Sequence, residues 1–159
     1  MSDVSCGGPE ATGGSPSPLG RAKGPQGALR GLHVLVVDDN HDTREMLRQL
    51  LTHSGALVTT VDTGDRALAV LRNVLADVII SDLSMPHHDG HWVIRNVRSL
   101  GGRQAAIPAI AITAYRETAI ESDALHAGFD AYLEKPLDFR RLIETLLRVT
   151  GRDQSTWES

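Results

Sequence analysis

The stretch DVIISDLSMP, residues 77–86, contains an apolar strand that ends on a carboxylate. The aliphatic residues Val78, Ile79 and Ile80 are typical of a strand buried on both faces of a sheet. Asp82 follows at the end of this strand and has three interpretations: it stops the strand, acts as a nucleophile, or binds a metal ion at the rim of the sheet. The choice among them depends on which residues share that rim.

Length, charge and cysteine content restrict the class of protein. The 159-residue chain is long enough for one domain with a modest appendage. Its net charge of −4 gives no indication of direct nucleic-acid binding. A single cysteine excludes an intrachain disulfide, and no apolar run reaches the roughly 18 residues of a membrane span. The N-terminus also lacks the apolar segment of a secretory signal, so we expect a cytoplasmic protein.

The composition divides the chain into three parts. Residues 1–31 hold eight of the fifteen glycines and four of the seven prolines, and they show no helical or strand period. Such a segment buries too little apolar surface to offset its ordering entropy, so we predict a disordered tail or linker. The folded domain is predicted over residues 32–150, and residues 151–159 are predicted to form a C-terminal tail.

Five apolar runs alternate with five amphipathic stretches across the predicted domain. The predicted strands are 32–38, 56–61, 77–81, 107–113 and 130–135. The predicted helices are 42–55, 64–75, 91–100, 116–128 and 139–150. We expect Asp42 and Glu45 to cap the first helix and Asp138 to cap the last. We also expect Met46 and Leu75 to face the core. This alternation predicts an α/β fold with a doubly wound, five-stranded parallel sheet, in which ligands bind beyond the carboxyl ends of the strands.

Polar residues from four strands meet at that edge of the predicted sheet. Asp38 and Asp39 end the first strand, Asp82 the third, Thr113 the fourth and Lys135 the fifth. Three neighbouring carboxylates raise each other's pKa unless a cation intervenes, and an oxygen-only cluster suits Mg²⁺. The lysine and threonine offer donors for a phosphoryl group, which a carboxylate beside Mg²⁺ can attack to form an aspartyl-phosphate.

Four motifs match, in order and spacing, those of a known family. The segments VLVVDDN, DLSMPHHDG, ITAY and EKP resemble the receiver domains of two-component response regulators, and the resemblance covers residues 32–150. It implies a flavodoxin-like, CheY-like fold with strand order 2-1-3-4-5. It also implies Mg²⁺-dependent phosphoryl transfer from a histidine kinase or histidine phosphotransfer protein. Such a phosphoprotein is not an enzyme in the ordinary sense, since its only reactions are self-directed phosphotransfer and autodephosphorylation.

The resemblance assigns a role to each acidic residue of the rim. It makes Asp82 the phosphoacceptor and Asp39 the principal acidic ligand of Mg²⁺, for which Mn²⁺ is a possible substitute. Asp38 is implied to act through water. Asp82 itself and the backbone carbonyl of Ser84 are implied to complete the protein's share of the metal coordination.

The resemblance also implies a conformational switch. Thr113 would bind a phosphoryl oxygen and Lys135 would pair with the phosphoryl group, with a cis peptide bond between Lys135 and Pro136. Thr113 would then move toward the phosphoryl group and Tyr132 would turn inward, which remodels the 116–149 face for partner binding. Alternatively, Tyr132 is simply a half-buried aromatic residue of a strand.

Two local features have functional interpretations that stay open. Ser84 and Tyr115 occupy positions that tune phosphoryl lifetime in the family, and the bulk of Tyr115 could shield the phosphoryl group from water. His87, His88 and His91 could bind a transition metal such as Zn²⁺, although adjacent loop histidines are more often simply solvated.

Only nine residues follow Thr150 in this sequence, so we expect no DNA-binding output domain after it. We therefore expect signalling through an unknown protein target or onward phosphate relay, by a monomer or a phosphorylation-dependent dimer without nucleic-acid or membrane contacts. The alternatives are the receiver part of a hybrid histidine kinase and a receiver-like interaction module that works without phosphorylation. A phosphohydrolase is disfavoured because Ser84 stands where such enzymes usually carry a second acid.

Overall fold

A computed structural model describes residues 27–85, 89–114 and 118–152, without the side chains of residues 118–121. Strands and helices alternate along these residues, as predicted. The strands are β1 His33–Val37, β2 Leu57–Val61, β3 Val78–Asp82, β4 Ala109–Thr113 and β5 Ala131–Glu134. The helices are α1 His41–His53, α2 Gly64–Asn73, α3 Gly90–Arg98, α4 Thr118–Ala127 and α5 Phe139–Val149, with a short 3-10 helix at Gly102–Ala106. None of the described helices is long and apolar enough to cross a bilayer.

All five strands pair in parallel, in the order β2-β1-β3-β4-β5. This is the predicted order 2-1-3-4-5. The order reverses between β1 and β3, which lie side by side, and this reversal is where a doubly wound sheet opens its binding crevice. Asp82 pairs with Ile112, and Thr113 pairs with Glu134, so β3, β4 and β5 end at one edge.

Successive side chains of the central strands point to opposite faces of the sheet, and both faces are covered by helices. Val34 and Val36 of β1 belong to the cluster that includes α1 and α5. Leu35 and Val37 belong to the cluster that includes α2, α3 and α4. Burial on both faces explains why these strands are continuous apolar runs rather than alternating apolar and polar residues.

The helix ends follow the local capping residues. The Asn40 side chain accepts a backbone N–H from the first turn of α1, so the predicted cap formed by Asp42 and Glu45 is wrong. Asparagine is among the best N-cap residues, and it lets the helix begin at His41. Asp138 caps α5 as predicted.

Two residues predicted to be in the core are exposed. Met46 is 42% exposed, because it lies at the margin of the apolar stripe formed by Leu47 and Leu51. Leu75 is 44% exposed, because α2 ends at Asn73 and the chain beyond it is extended.

The packed region begins before residue 32, within the segment assigned to the tail from composition. Leu29 is fully buried in the cluster that includes α1 and α5. The Arg152 guanidinium Nη1 donates to the Arg30 carbonyl oxygen at 2.9 Å, which joins the two ends of the domain. The remaining parts of the predicted tails, residues 1–26 and 153–159, lie outside the described residues.

Candidate functional site

Three carboxylates converge where β1 and β3 end. Asp38 and Asp39 follow the last residue of β1, and Asp82 is the last residue of the neighbouring strand β3. One oxygen atom from each carboxylate lies within 4.8 Å of the other two. Asp38 and Asp82 are buried and Asp39 is exposed, so the cluster has a buried floor and an open side.

A lysine ammonium group lies beside the two buried carboxylates. Lys135 Nζ is 3.3 Å from Asp38 Oδ2 and 3.8 Å from Asp82 Oδ2. The Lys135 backbone N–H donates to the Thr113 carbonyl oxygen at 2.8 Å. This hydrogen bond fixes the chain just after β5 against the end of β4. The peptide bond between Lys135 and Pro136 is cis, as predicted.

Two groups from the start of α1 fix the position of Asp38. The Asn40 backbone N–H donates to Asp38 Oδ1 at 2.9 Å. The Arg44 guanidinium Nη1 donates to the Asp38 carbonyl oxygen at 2.7 Å. Arg44 is not among the predicted site residues, although its position in the first turn of the helix that follows the two acids is a usable signal.

The Asp82 carboxyl group has a perturbed pKa. Burial is the largest cause, and together with the neighbouring Asp38 charge it raises the pKa of Asp82 to about 6. The Ser84 backbone N–H, which donates to Asp82 Oδ1 at 3.2 Å, and the Lys135 ammonium oppose this rise, while Asp39 adds to it. A cation among these carboxylates would favour the ionised form of Asp82.

The first residue of α3, Gly90, lies against the end of β3. The Gly90 N–H donates to the Leu83 carbonyl oxygen at 3.2 Å. A Cβ atom at Gly90 would lie only 2.7 Å from the Asp82 carbonyl oxygen and 2.9 Å from Leu83 Cα. These are backbone atoms that cannot turn aside, so glycine is required for α3 to start this close to the carboxylates.

Of the other predicted site residues, two lie on the adjacent strands β4 and β5. Thr113 is fully buried at the end of β4. Tyr132 is partly buried on β5 and packs against the cluster that includes α2, α3 and α4. Ser84 is exposed in the loop after β3. Tyr115, His87 and His88 lie outside the described residues, and His91 lies in the first turn of α3.

The arrangement is suited to binding a divalent cation and an anion together. Its oxygen donors, open on the side of Asp39, match the all-oxygen ligand sets that Mg²⁺ prefers. Lys135 supplies the only described ammonium group beside Asp38 and Asp82.

A family model described as the response regulator receiver domain matches residues 34–147. The chain belongs to this family, whose members are signalling domains of two-component systems. The uncharacterized 14.6 kDa protein in the sodA1 3′ region of Leptolyngbya boryana is 42% identical over 115 residues, covering 72% of this chain and 87% of that protein.

Similarity extends to receiver segments of longer proteins. The sensor protein GacS of Pseudomonas syringae pv. syringae is 32% identical over 130 residues, which are 80% of this chain but only 14% of GacS. The receiver domain of the sensor histidine kinase PA1611 from Pseudomonas aeruginosa PAO1 was solved with a magnesium ion coordinated in its active-site cleft. It has a TM-score of 0.70 and 30% identity, covering 76% of this chain and 98% of that one.

Proposed function

We propose that this receiver accepts a phosphoryl group on Asp82 from the phosphohistidine of a histidine kinase or histidine phosphotransfer protein. An Asp82 carboxylate oxygen attacks the phosphorus, the P–N bond breaks with its electron pair passing to the imidazole, and an acyl phosphate forms. The observation that carries the proposal is the position of Asp82. It is a buried carboxylate at the crevice of the sheet, with Lys135 Nζ 3.8 Å away.

The surrounding residues have distinct roles in this proposal. Asp38, Asp39, Asp82 and the backbone carbonyl of Ser84 would hold Mg²⁺ or, as a substitute, Mn²⁺. When bound, the cation supplies positive charge that offsets the charge of the phosphoryl oxygens. Lys135 would release its contacts with the buried carboxylates to pair with the phosphoryl group.

The consequence for signalling is a change in the 116–149 face. Thr113 would donate its hydroxyl to a phosphoryl oxygen, and Tyr132 would turn inward on the neighbouring strand. Two observations support this coupling. Thr113 and Tyr132 lie on the directly paired strands β4 and β5, and the Lys135 N–H donates to the Thr113 carbonyl oxygen. Phosphorylation would then shift the population toward the arrangement that a partner binds.

Incubation of the full chain with acetyl phosphate and Mg²⁺, followed by intact-mass spectrometry, tests the proposal. We expect one added phosphoryl group that is lost in Asp82→Asn and in EDTA, and retained in Asp42→Asn, a matched change of an exposed aspartate in α1. No added mass from acetyl phosphate or from a phosphorylated histidine phosphotransfer protein, with folding intact, would overturn it. That outcome would favour an interaction module that works without phosphorylation.

The wider role of the protein is also part of the proposal. Similarity to a sensor protein, of which the chain spans 14%, supports a receiver segment of a hybrid kinase as the alternative to a separate regulator. In either case the domain would act in the cytoplasm on an unknown protein target, as a monomer or as a phosphorylation-dependent dimer.

A further inference from the structure

A polar groove lies between the start of α3 and the end of α4, and none of the three aspartates lines it. It has a volume of about 500 Å³ and is lined by Asp89, His91, Arg95, Asp123, His126 and Ala127. Four of these six residues carry imidazole or carboxylate groups: Asp123 and His126 belong to α4, His91 to the first turn of α3, and Asp89 is the N-cap of α3. Two of the chain's histidines therefore face one groove together with two acids, and the proposed phosphoryl chemistry uses none of them.

The donors on α4 are arranged on one face of the helix. Asp123 and His126 are three residues apart, a spacing that places two side chains on the same side of a helix. His126 Nδ1 lies 2.8 Å from the Ser122 carbonyl oxygen, so Nδ1 carries the proton and donates it to that oxygen. This tautomer leaves the lone pair on Nε2, which is how metal-binding histidines are commonly oriented.

The donors at the start of α3 are a carboxylate and an imidazole that lie close together without the hydrogen bond seen at His126. Asp89 Oδ1 accepts the Trp92 N–H at 2.9 Å and caps the helix, while Asp89 Oδ2 lies 3.9 Å from His91 Nδ1. His91 Nε2 is buried and has no hydrogen-bond partner among the described residues. A small rotation of either side chain would bring the Nδ1–H of His91 onto Asp89 and leave the Nε2 lone pair for a metal ion, the carboxylate–histidine–metal arrangement of many zinc sites.

We propose that this groove, the α3–α4 groove, binds Zn²⁺ through Nε2 of His91, Nε2 of His126 and the carboxylate of Asp123, with Asp89 orienting His91. Two imidazoles, a carboxylate and a water complete the four-coordinate set that Zn²⁺ prefers, and imidazole donors disfavour Mg²⁺. Among the described residues, only the three aspartates already have their donor atoms within 4.8 Å of one another. The groove ligands therefore draw together on binding, which the exposed side chains of Asp123 and His126 permit without unpacking the core.

A bound ion would connect the first turn of α3 to the last turns of α4. Zinc binding and any rearrangement of α4 are then coupled, and each changes the free energy of the other by the same amount. Arg95 also lines the groove and places a positive charge near the ion, so it opposes binding.

Isothermal titration of the full chain with Zn²⁺, in excess Mg²⁺ to occupy the aspartate cluster, tests the proposal. We expect one zinc ion per chain, and a dissociation constant raised by at least about tenfold in His126→Gln and in Asp123→Asn. Arg95→Gln is expected to tighten binding. His53→Gln, the same change at an exposed histidine of α1, is the matched control and should bind as the wild type does.

Two outcomes would overturn the proposal. One is an absence of zinc uptake by the wild-type chain. The other is wild-type affinity in both His126→Gln and Asp123→Asn, which would place the zinc ion elsewhere. Far-ultraviolet circular dichroism of each variant checks that the helices are intact, and both side chains are exposed, so correct folding is expected.

Discussion

Replacing Asp82 by asparagine should stabilise the cation-free protein near neutral pH. Burial and the Asp38 charge raise the pKa of Asp82 from its ordinary value of 3.8 to about 6, so the folded protein holds an ionised carboxylate at a cost. A rise of this size corresponds to roughly 3 kcal/mol of unfolding free energy. Asparagine removes the charge and keeps an oxygen that can accept the Ser84 N–H, so we expect a gain of about 2–3 kcal/mol.

The sign of the effect sets its pH window. As pH rises from about 4 to about 6, the unfolded chain releases the Asp82 proton while the folded chain retains it. The unfolding free energy of the wild type therefore falls through this window and levels off above it. Asparagine at residue 82 does not titrate, so the unfolding free energy of Asp82→Asn does not fall in this way. The variant should therefore be no more stable than the wild type at about pH 4 and should show its full gain in stability at neutral pH.

Urea denaturation in EDTA at about pH 4 and about pH 7.5 measures the difference between wild type and variant. Asp42→Asn is the control, and its effect should stay below about 1 kcal/mol, the range for a charge in the first turn of a helix. A stability difference between Asp82→Asn and wild type that does not change between the two pH values would refute the electrostatic reasoning. Added Mg²⁺ should stabilise the wild type more than Asp82→Asn, because the variant lacks one carboxylate ligand.

Three further substitutions test the start of α3, the beginning of the folded region and the position of Asp38. Gly90→Ala should lower the unfolding free energy by about 1–3 kcal/mol, since its Cβ would meet backbone atoms at the end of β3; an unchanged melting temperature would contradict this. Leu29→Ala should cost about 2–5 kcal/mol in urea denaturation, whereas Leu57→Ala, at a residue that is 65% exposed, should cost far less; equal effects would remove residue 29 from the core. Arg44→Gln should slow phosphorylation by acetyl phosphate several-fold by freeing the Asp38 carbonyl, with only about 1 kcal/mol of lost stability; a wild-type rate would contradict this role.

The strands and the convergence of the acids were predictable because their signals are local. The apolar run Val34–Val37 has the character of a strand buried on both faces, and the two following acids mark its end. Once parallel pairing is inferred, Asp38, Asp82 and Lys135 must meet at one edge, and the structure brings them within ion-pair distance. The strand order came from the family motifs, since periodicity alone does not specify it.

Other features depend on contacts between residues far apart in the chain. Arg98 is the clearest example: its guanidinium group donates to the carbonyl oxygens of Ala105, Ile107 and Gly128, and pairs with Asp130. Nothing in the local sequence distinguishes this arginine from the solvated arginines of other helices. Helix ends were misjudged for a related reason, because the apolar stripe of a helix does not specify where its first and last turns stop.

The contact between Arg152 and the Arg30 carbonyl has a consequence for how such a domain is joined to others. It brings the entry and exit of the described region together near the amino ends of the strands, whereas the aspartates lie at the carboxyl ends. Additional chain attached at either end therefore departs from one place, beside the last turn of α5 and on the side of the sheet opposite the crevice. A domain whose two ends lie close together can be inserted into or appended to other proteins without altering the surroundings of Asp82.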